Sequence, residues 1–160
     1  MKIYCATDEH IEIPYDRLDN INLENLNLHR AELEQKNLAG SSFVNSNLRG
    51  AFLYGSNLMR TNFDSANLIV ADLRNTNLQF ANLVNIIAYS AIFIDANLEN
   101  ANLKGANVDS AEFQNTNLKG ANMDCIGITT AYFEGAVFDK NTLWPKGFDP
   151  IKKGAFFSND

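Results

Sequence analysis

One periodicity constrains this chain before anything else: a large apolar residue returns every fifth position from Leu18 to Leu143. Of the 26 positions in that series, only Ala88 is not a large apolar side chain. Two residues before each of them the side chain is small, with Ala, Ser or Thr in 19 of the 26 places. One residue before, Asn dominates, as at Asn57, Asn62, Asn67 and Asn77; the two residues after are mostly polar or Gly. The small and the large residue lie two apart, so both point to one side of an extended segment, while the remaining three face water and turn the chain. A unit of five residues cannot bury its own leucine. Coils must stack, so that each leucine sits on those above and below and the backbone pairs between coils at about 4.8 Å. The asparagines then form stacked ladders.

The number of units per coil is also written in the chain. The position before the large residue is not Asn at Glu32, Phe52, Asp72, Ile92, Glu112 and Tyr132, which recur every 20 residues. Phenylalanines recur at the same interval, at Phe43 and Phe63 and again at Phe93, Phe113 and Phe133. Four units per coil give a four-sided cross-section.

The motif Ala-Asn-Leu followed by two variable residues, as at Ala96-Asn97-Leu98 and Ala101-Asn102-Leu103, resembles the A(D/N)Lxx signature of the pentapeptide-repeat family. The resemblance runs from about Leu18 to Leu143, and the segment 141–150 is similar to the ending of many cyanobacterial members. It implies an all-β fold, a right-handed quadrilateral β-helix, here of about six coils and roughly 30 Å long. The expected organisation is an N-terminal cap over 1–15, the β-helix over 16–143 and a C-terminal cap or tail over 144–160. Ile3, Tyr4, Ile11, Ile13 and Tyr15 are available to cover one end, and Trp144, Phe148, Ile151, Phe156 and Phe157 the other or a dimer contact, since open solenoid ends invite aggregation.

Departures from the repeat are informative. Ile21, Leu26 and Lys36 occupy small positions in the first coil. Asp16 and Lys36 share a column, so they either pair near the open end or extend to solvent. In Ile86-Ile87-Ala88 the small and large residues have changed places, which conserves core volume. That stretch turns Ile87, Tyr89, Ile92 and Ile94 outward, near Phe52 and Tyr54 of an earlier coil. These six are the candidate partner-binding residues, because solenoids bind through continuous faces and exposed apolar patches mark interfaces.

Little else points to chemistry. A net charge of −6 gives no dominant basic field for nucleic acid or an anionic membrane. No apolar stretch approaches the roughly 20 residues of a membrane span, and no signal-peptide pattern is read, so the expected location is the cytoplasm. Two cysteines, Cys5 and Cys125, make no disulfide framework. His10 lies near Asp8, Glu9 and Glu12 without a metal-ligand spacing, and no cofactor, metal site or catalytic set is expected. The expected function is a non-enzymatic protein-binding scaffold or regulator, with an unidentified protein partner and a possible homodimer. The other reading, implied by the family, is a DNA-mimicking modulator of DNA gyrase; acidic residues that share their face with Arg74, Phe52 and Ile92 speak against it.

Overall fold

The structure is a computed structural model that describes residues 1–5 and 10–159. Parallel backbone bridges join residues 20 apart along four columns. The column Glu32–Phe52–Asp72–Ile92–Glu112–Tyr132 has six rungs, and the others begin at Asn22, Asn27 and Asn37. Each column is one face of the quadrilateral β-helix, numbered here faces 1 to 4 in the chain order of Asn22, Asn27, Glu32 and Asn37. Adjacent coils are tied by paired bonds on every face. On face 3, for example, Leu53 N–H donates to Asp72 C=O at 2.8 Å and Asp72 N–H donates to Ala51 C=O at 3.0 Å.

The corners follow from turn chemistry. The N–H of most small residues donates to the C=O of the preceding large one, as from Ala51 to Leu48 at 2.9 Å. The residue just before the small one has positive φ, for instance Asn75 at 56° and Gly55 at 66°. A left-handed third turn residue is the requirement of a type II turn, and Asn and Gly meet it at least cost. The ladder asparagine stabilises the same corner: Asn57 Oδ1 accepts from Met59 N–H at 3.2 Å while its Nδ2 donates to Asn37 Oδ1 at 3.0 Å.

Large residues fill the interior. Leu23 through Leu83 and Phe93 through Phe133 are sealed from solvent, and the phenylalanines stack in register, Phe43 on Phe63 at 4.9 Å and Phe93 on Phe113 at 4.9 Å. The exchanged unit packs as its volumes require, with Ile86 and Ala88 both buried. Asp16 and Lys36 are both exposed, and no ion pair joins them, so each reaches solvent.

At the start, β1 (Lys2–Tyr4) and β2 (His10–Glu12) form an antiparallel hairpin. Cys5 bridges Ala31 in the antiparallel sense, and Glu32 N–H donates to Tyr4 C=O at 2.8 Å, so this segment lies along the first edge of face 3. Ile3 and Ile13 are buried, whereas Tyr4 and Tyr15 are exposed.

Near the end the uniform register fails twice. Asn107 bridges Ile126, 19 residues on, and Asn122 bridges Leu143, 21 residues on. In the first slip Cys125 takes the small inward position, where its thiol donates to Leu103 C=O at 3.3 Å, and Ile126 is turned out. The five-residue count places Ile126 inward, so this corrects it; a longer turn through Gly127 then restores the frame at Ala131. In the second, Thr142 is the small buried residue and Leu143 faces solvent at 57 % exposure. Leu143 is therefore not a core position. Trp144 covers Phe133 and Phe138 edge-on, each at 5.6 Å. β3 (Val137–Phe138) pairs in parallel with β4 (Phe156–Phe157), which follows a 3-10 turn at Ile151–Lys153.

Candidate functional site

Face 3 carries four of the six candidate residues. Its bridges fix the order of rows: Glu32/Glu34, Phe52/Tyr54, Asp72/Arg74, Ile92/Ile94, Glu112/Gln114, Tyr132/Glu134. Apolar and polar rows alternate, as the sequence spacing requires. Phe52, Ile92 and Ile94 are half-buried by their neighbours, and Tyr54 is exposed. Ile87 and Tyr89 belong to face 2, in the column Asn27–Asn47–Asn67–Ile87–Asn107–Ile126, and both are exposed. The six residues thus divide between two adjoining faces.

The polar row between the two apolar rows is internally neutralised. Arg74 Nε and Nη2 donate to Asp72 Oδ1 and Oδ2 at 2.8 and 2.6 Å, a two-point fork of the kind that fixes both side chains. The hydrogen bond from Arg74 holds the Asp72 carboxyl below the usual carboxylate range, and Asp72 in turn raises the Arg74 guanidinium. The same guanidinium lies 5.7 Å from the centre of the Tyr54 ring, within cation–π range. Tyr54 is therefore held by the row above it, and the apolar rows at Phe52 and Ile92 are separated by a strip without net charge.

Sequence reasoning left out several exposed apolar residues. Tyr132 continues face 3 two coils beyond Ile92 and is 51 % exposed; its place in the Asn-free column was the available signal. Ile126 is exposed only because of the register slip, which the five-residue count hides. Val70 sits at the corner between faces 2 and 3 with φ of 50°, an unusual conformation for a β-branched residue. Phe80, at another corner, lies 5.6 Å beneath the Arg60 guanidinium.

Other chemistry is thin. Among the described residues, no three His, Cys, Asp or Glu side chains gather as a metal site; Asp8 and Glu9 lie outside them. Cys5 and Cys125 are buried and not bonded to each other. Burial pushes the Cys125 thiol up to about 12, with Asp124 adding to the shift, which is the reverse of a nucleophile's tuning. Hollows occur at the ends of the solenoid. One of about 390 Å³ is lined by Ile128, Phe148, Lys146, Lys152 and Lys153, and one of about 400 Å³ by Ile3, Leu18, Leu33 and Lys36. In the first, Lys153 donates to Thr129 C=O and Lys152 pairs with Asp149 at 3.5 Å. No helix among the described residues is long and apolar enough to cross a membrane.

Solved structures resemble this architecture. HetL, a pentapeptide repeat protein involved in heterocyst differentiation regulation from the cyanobacterium Nostoc sp. strain PCC 7120, is 20% identical, with 88% of this chain and 87% of HetL covered and a TM-score of 0.54. A pentapeptide repeat protein of the Arabidopsis thaliana thylakoid lumen is 24% identical, with 64% and 73% covered and a TM-score of 0.50. The plasmid-mediated fluoroquinolone resistance protein QnrB1 is 18% identical over 89% of this chain and 85% of its own, with a TM-score of 0.49. At these identities the likeness is one of fold. No curated protein matches the chain. The pentapeptide-repeats family model matches 21–60, 53–87 and 91–124. With more than half its length accounted for in this way, the chain belongs to the pentapeptide-repeat family.

Proposed function

We propose that this protein is a non-enzymatic protein-binding scaffold whose docking surface is face 3, centred on Phe52, Tyr54, Ile92 and Ile94. The observation that carries the reading is the clamped Asp72–Arg74 row between two apolar rows, with the Arg74 guanidinium in cation–π range of Tyr54. Aromatic and aliphatic anchors set among satisfied polar groups are what a specific interface needs. Face 3 also lacks the asparagine ladder along its whole length, although Asp72 keeps the repeat's turn-capping bond, its Oδ1 accepting from Arg74 N–H at 3.2 Å. The gyrase reading has less support. The acidic rows Glu32, Asp72 and Glu112 are interrupted by Phe52 and Ile92, and Asp72 is neutralised by Arg74, which leaves no continuous phosphate-like stripe. Phe52→Ser combined with Ile92→Ser tests the proposal. The double variant should melt with the wild type, because both side chains point outward, and should lose most of the partner captured from the native host. Unchanged capture by the folded variant, or inhibition of gyrase supercoiling that survives the substitutions, would count against face 3.

A further inference from the structure

Face 2 is complementary to itself. Its outward column after the large residue reads His29, Arg49, Ile69, Tyr89 and Asp109 on successive rungs: basic, basic, apolar, apolar, acidic. Arg49 is exposed and, among the described residues, has no ion-pair partner. Asp109 is half-buried, and both hydrogen bonds to its carboxylate, from Ser110 and Thr130 hydroxyls, fall on Oδ1. Among the described residues no hydrogen bond falls on Oδ2.

We propose that face 2 is where a second copy of this chain docks, with the two solenoids antiparallel across a two-fold axis. A two-fold interface brings one surface against itself, so residue i meets residue j and j meets i. Let the axis lie in the interface, perpendicular to the coils' stacking direction and midway between the rungs of Ile69 and Tyr89. The lateral position of each column is then kept and the order of rungs is reversed. Ile69 meets Tyr89 of the second copy, and Arg49 meets its Asp109; both pairs form twice. The terminal pairing sets His29 near the uncharged Ile126 rung. No like charges meet along the column.

Two comparisons favour this arrangement. A parallel two-fold on the same face would bring Arg49 toward Arg49 and Asp109 toward Asp109. On face 3 the same operation, with the axis midway between the Asp72 and Ile92 rungs so that all six rungs overlap, sets Glu34 against Glu134, a like-charge contact that opposes docking in that register. Face 2 also holds Ile87, exposed at 45 %, and Val70, exposed at 46 % at its corner despite its left-handed backbone, so the centre of the proposed interface is mostly apolar, with Asn67 opposite Ile87 of the second copy, and its flanks are charged. A single solenoid face is small, below the roughly 1,200 Å² total that marks standard interfaces, so the dimer is weak and concentration-dependent. The inference goes beyond the partner reading and stands on a different face.

The test is a charge exchange between two singly substituted chains, read by sedimentation equilibrium over about 10 μM to 1 mM. Arg49→Asp alone places Asp opposite Asp109, and Asp109→Arg alone places Arg opposite Arg49. Each should weaken dimerisation at least tenfold. Mixing the two in equal amounts re-creates opposite charges at both contacts, so a heterodimer should form with affinity near that of the wild type. Since Asp109 holds Thr130, Tyr89→Ser serves as a second disruptive variant, checked for native melting. A wild-type chain that stays monomeric across the range overturns the proposal. So does a dimer indifferent to the single substitutions, or one lost on Phe156→Ser instead. Phe52→Ser with Ile92→Ser should leave the dimer intact, which separates a failure here from a failure of the partner reading.

Discussion

Three serine hydroxyls repair the irregular first coil. Ile21, Leu26 and Lys36 are too large for the small inward position, and their N–H groups do not make the usual turn bond. One coil later, Ser41, Ser46 and Ser56 stand in the same columns. Each hydroxyl inserts into the open turn below it. Ser46 Oγ accepts from Leu26 N–H at 3.0 Å and donates to Leu23 C=O at 2.6 Å, and Ser41 and Ser56 do the same for Ile21 and Lys36. Ser46→Ala would strand a buried donor and acceptor together. Losing such pairing costs about 1–3 kcal/mol, and the loss should appear as a lower urea midpoint with an unchanged slope. The inward and outward positions differ far more. Leu73→Asp buries an unpaired carboxylate at a fully enclosed site, at a cost of several kcal/mol against a total stability of about 5–15 kcal/mol. That variant should fail to fold or should aggregate. Asn75→Ser should cost less than about 1 kcal/mol, because Ser65, Ser90 and Ser110 already hold the same left-handed corner at φ of 59°, 52° and 57°. Melting curves for the two variants decide between these positions, and equal stability would contradict the assignment.

At the scale of the element, the repeat unit explains itself while the ends do not. The five-residue period was legible because every unit solves one packing problem with the same residue types, and the 20-residue recurrence of Glu32, Phe52, Asp72 and Ile92 identified the face they share. The outward placement of Phe52, Tyr54, Ile92 and Ile94 followed from that register. The Asp72–Arg74 fork did not, since a side chain's choice of partner depends on rotamers the pattern leaves open. Nor were the slips at Cys125 and Leu143 readable: the first is undone by Ala131, so the count of fives stays in frame through Phe138, and the second falls in the last unit, where no later repeat reveals it. The second slip makes a sharp prediction. A count of fives puts Leu143 in the core, whereas the structure exposes it and gives the covering role to Trp144. Leu143→Ser should change stability by no more than about 0.5 kcal/mol, while Trp144→Ala should cost about 3 kcal/mol or more in chemical denaturation. The reverse order would restore the uniform register.

For the whole molecule, the solenoid offers four flat faces that share one interior, and their outward residues are the part of the sequence the fold leaves free. Asparagine ladders occupy most rungs of faces 1, 2 and 4, where the amides cap their own corners and several also bond to the adjacent coil, as Asn47 does to Asn27 and Asn82 to Asn62. Face 3 has no such ladder, and face 2 departs from its own at Ile87 and Ile126. On the two proposals above, a molecule built this way has its specificity in the exceptions to its repeat, and two adjoining faces would hold a second copy and a different partner at once. The most direct test of that account is site-specific photo-crosslinking in the native host. A benzoylphenylalanine in place of Tyr54 on face 3 is compared with one in place of Asn57 on face 4 or Asn62 on face 1, each in a chain that melts as the wild type does. The account predicts a discrete adduct to another protein from position 54 alone. Adducts of equal yield from positions 57 or 62, or none from position 54, would contradict it.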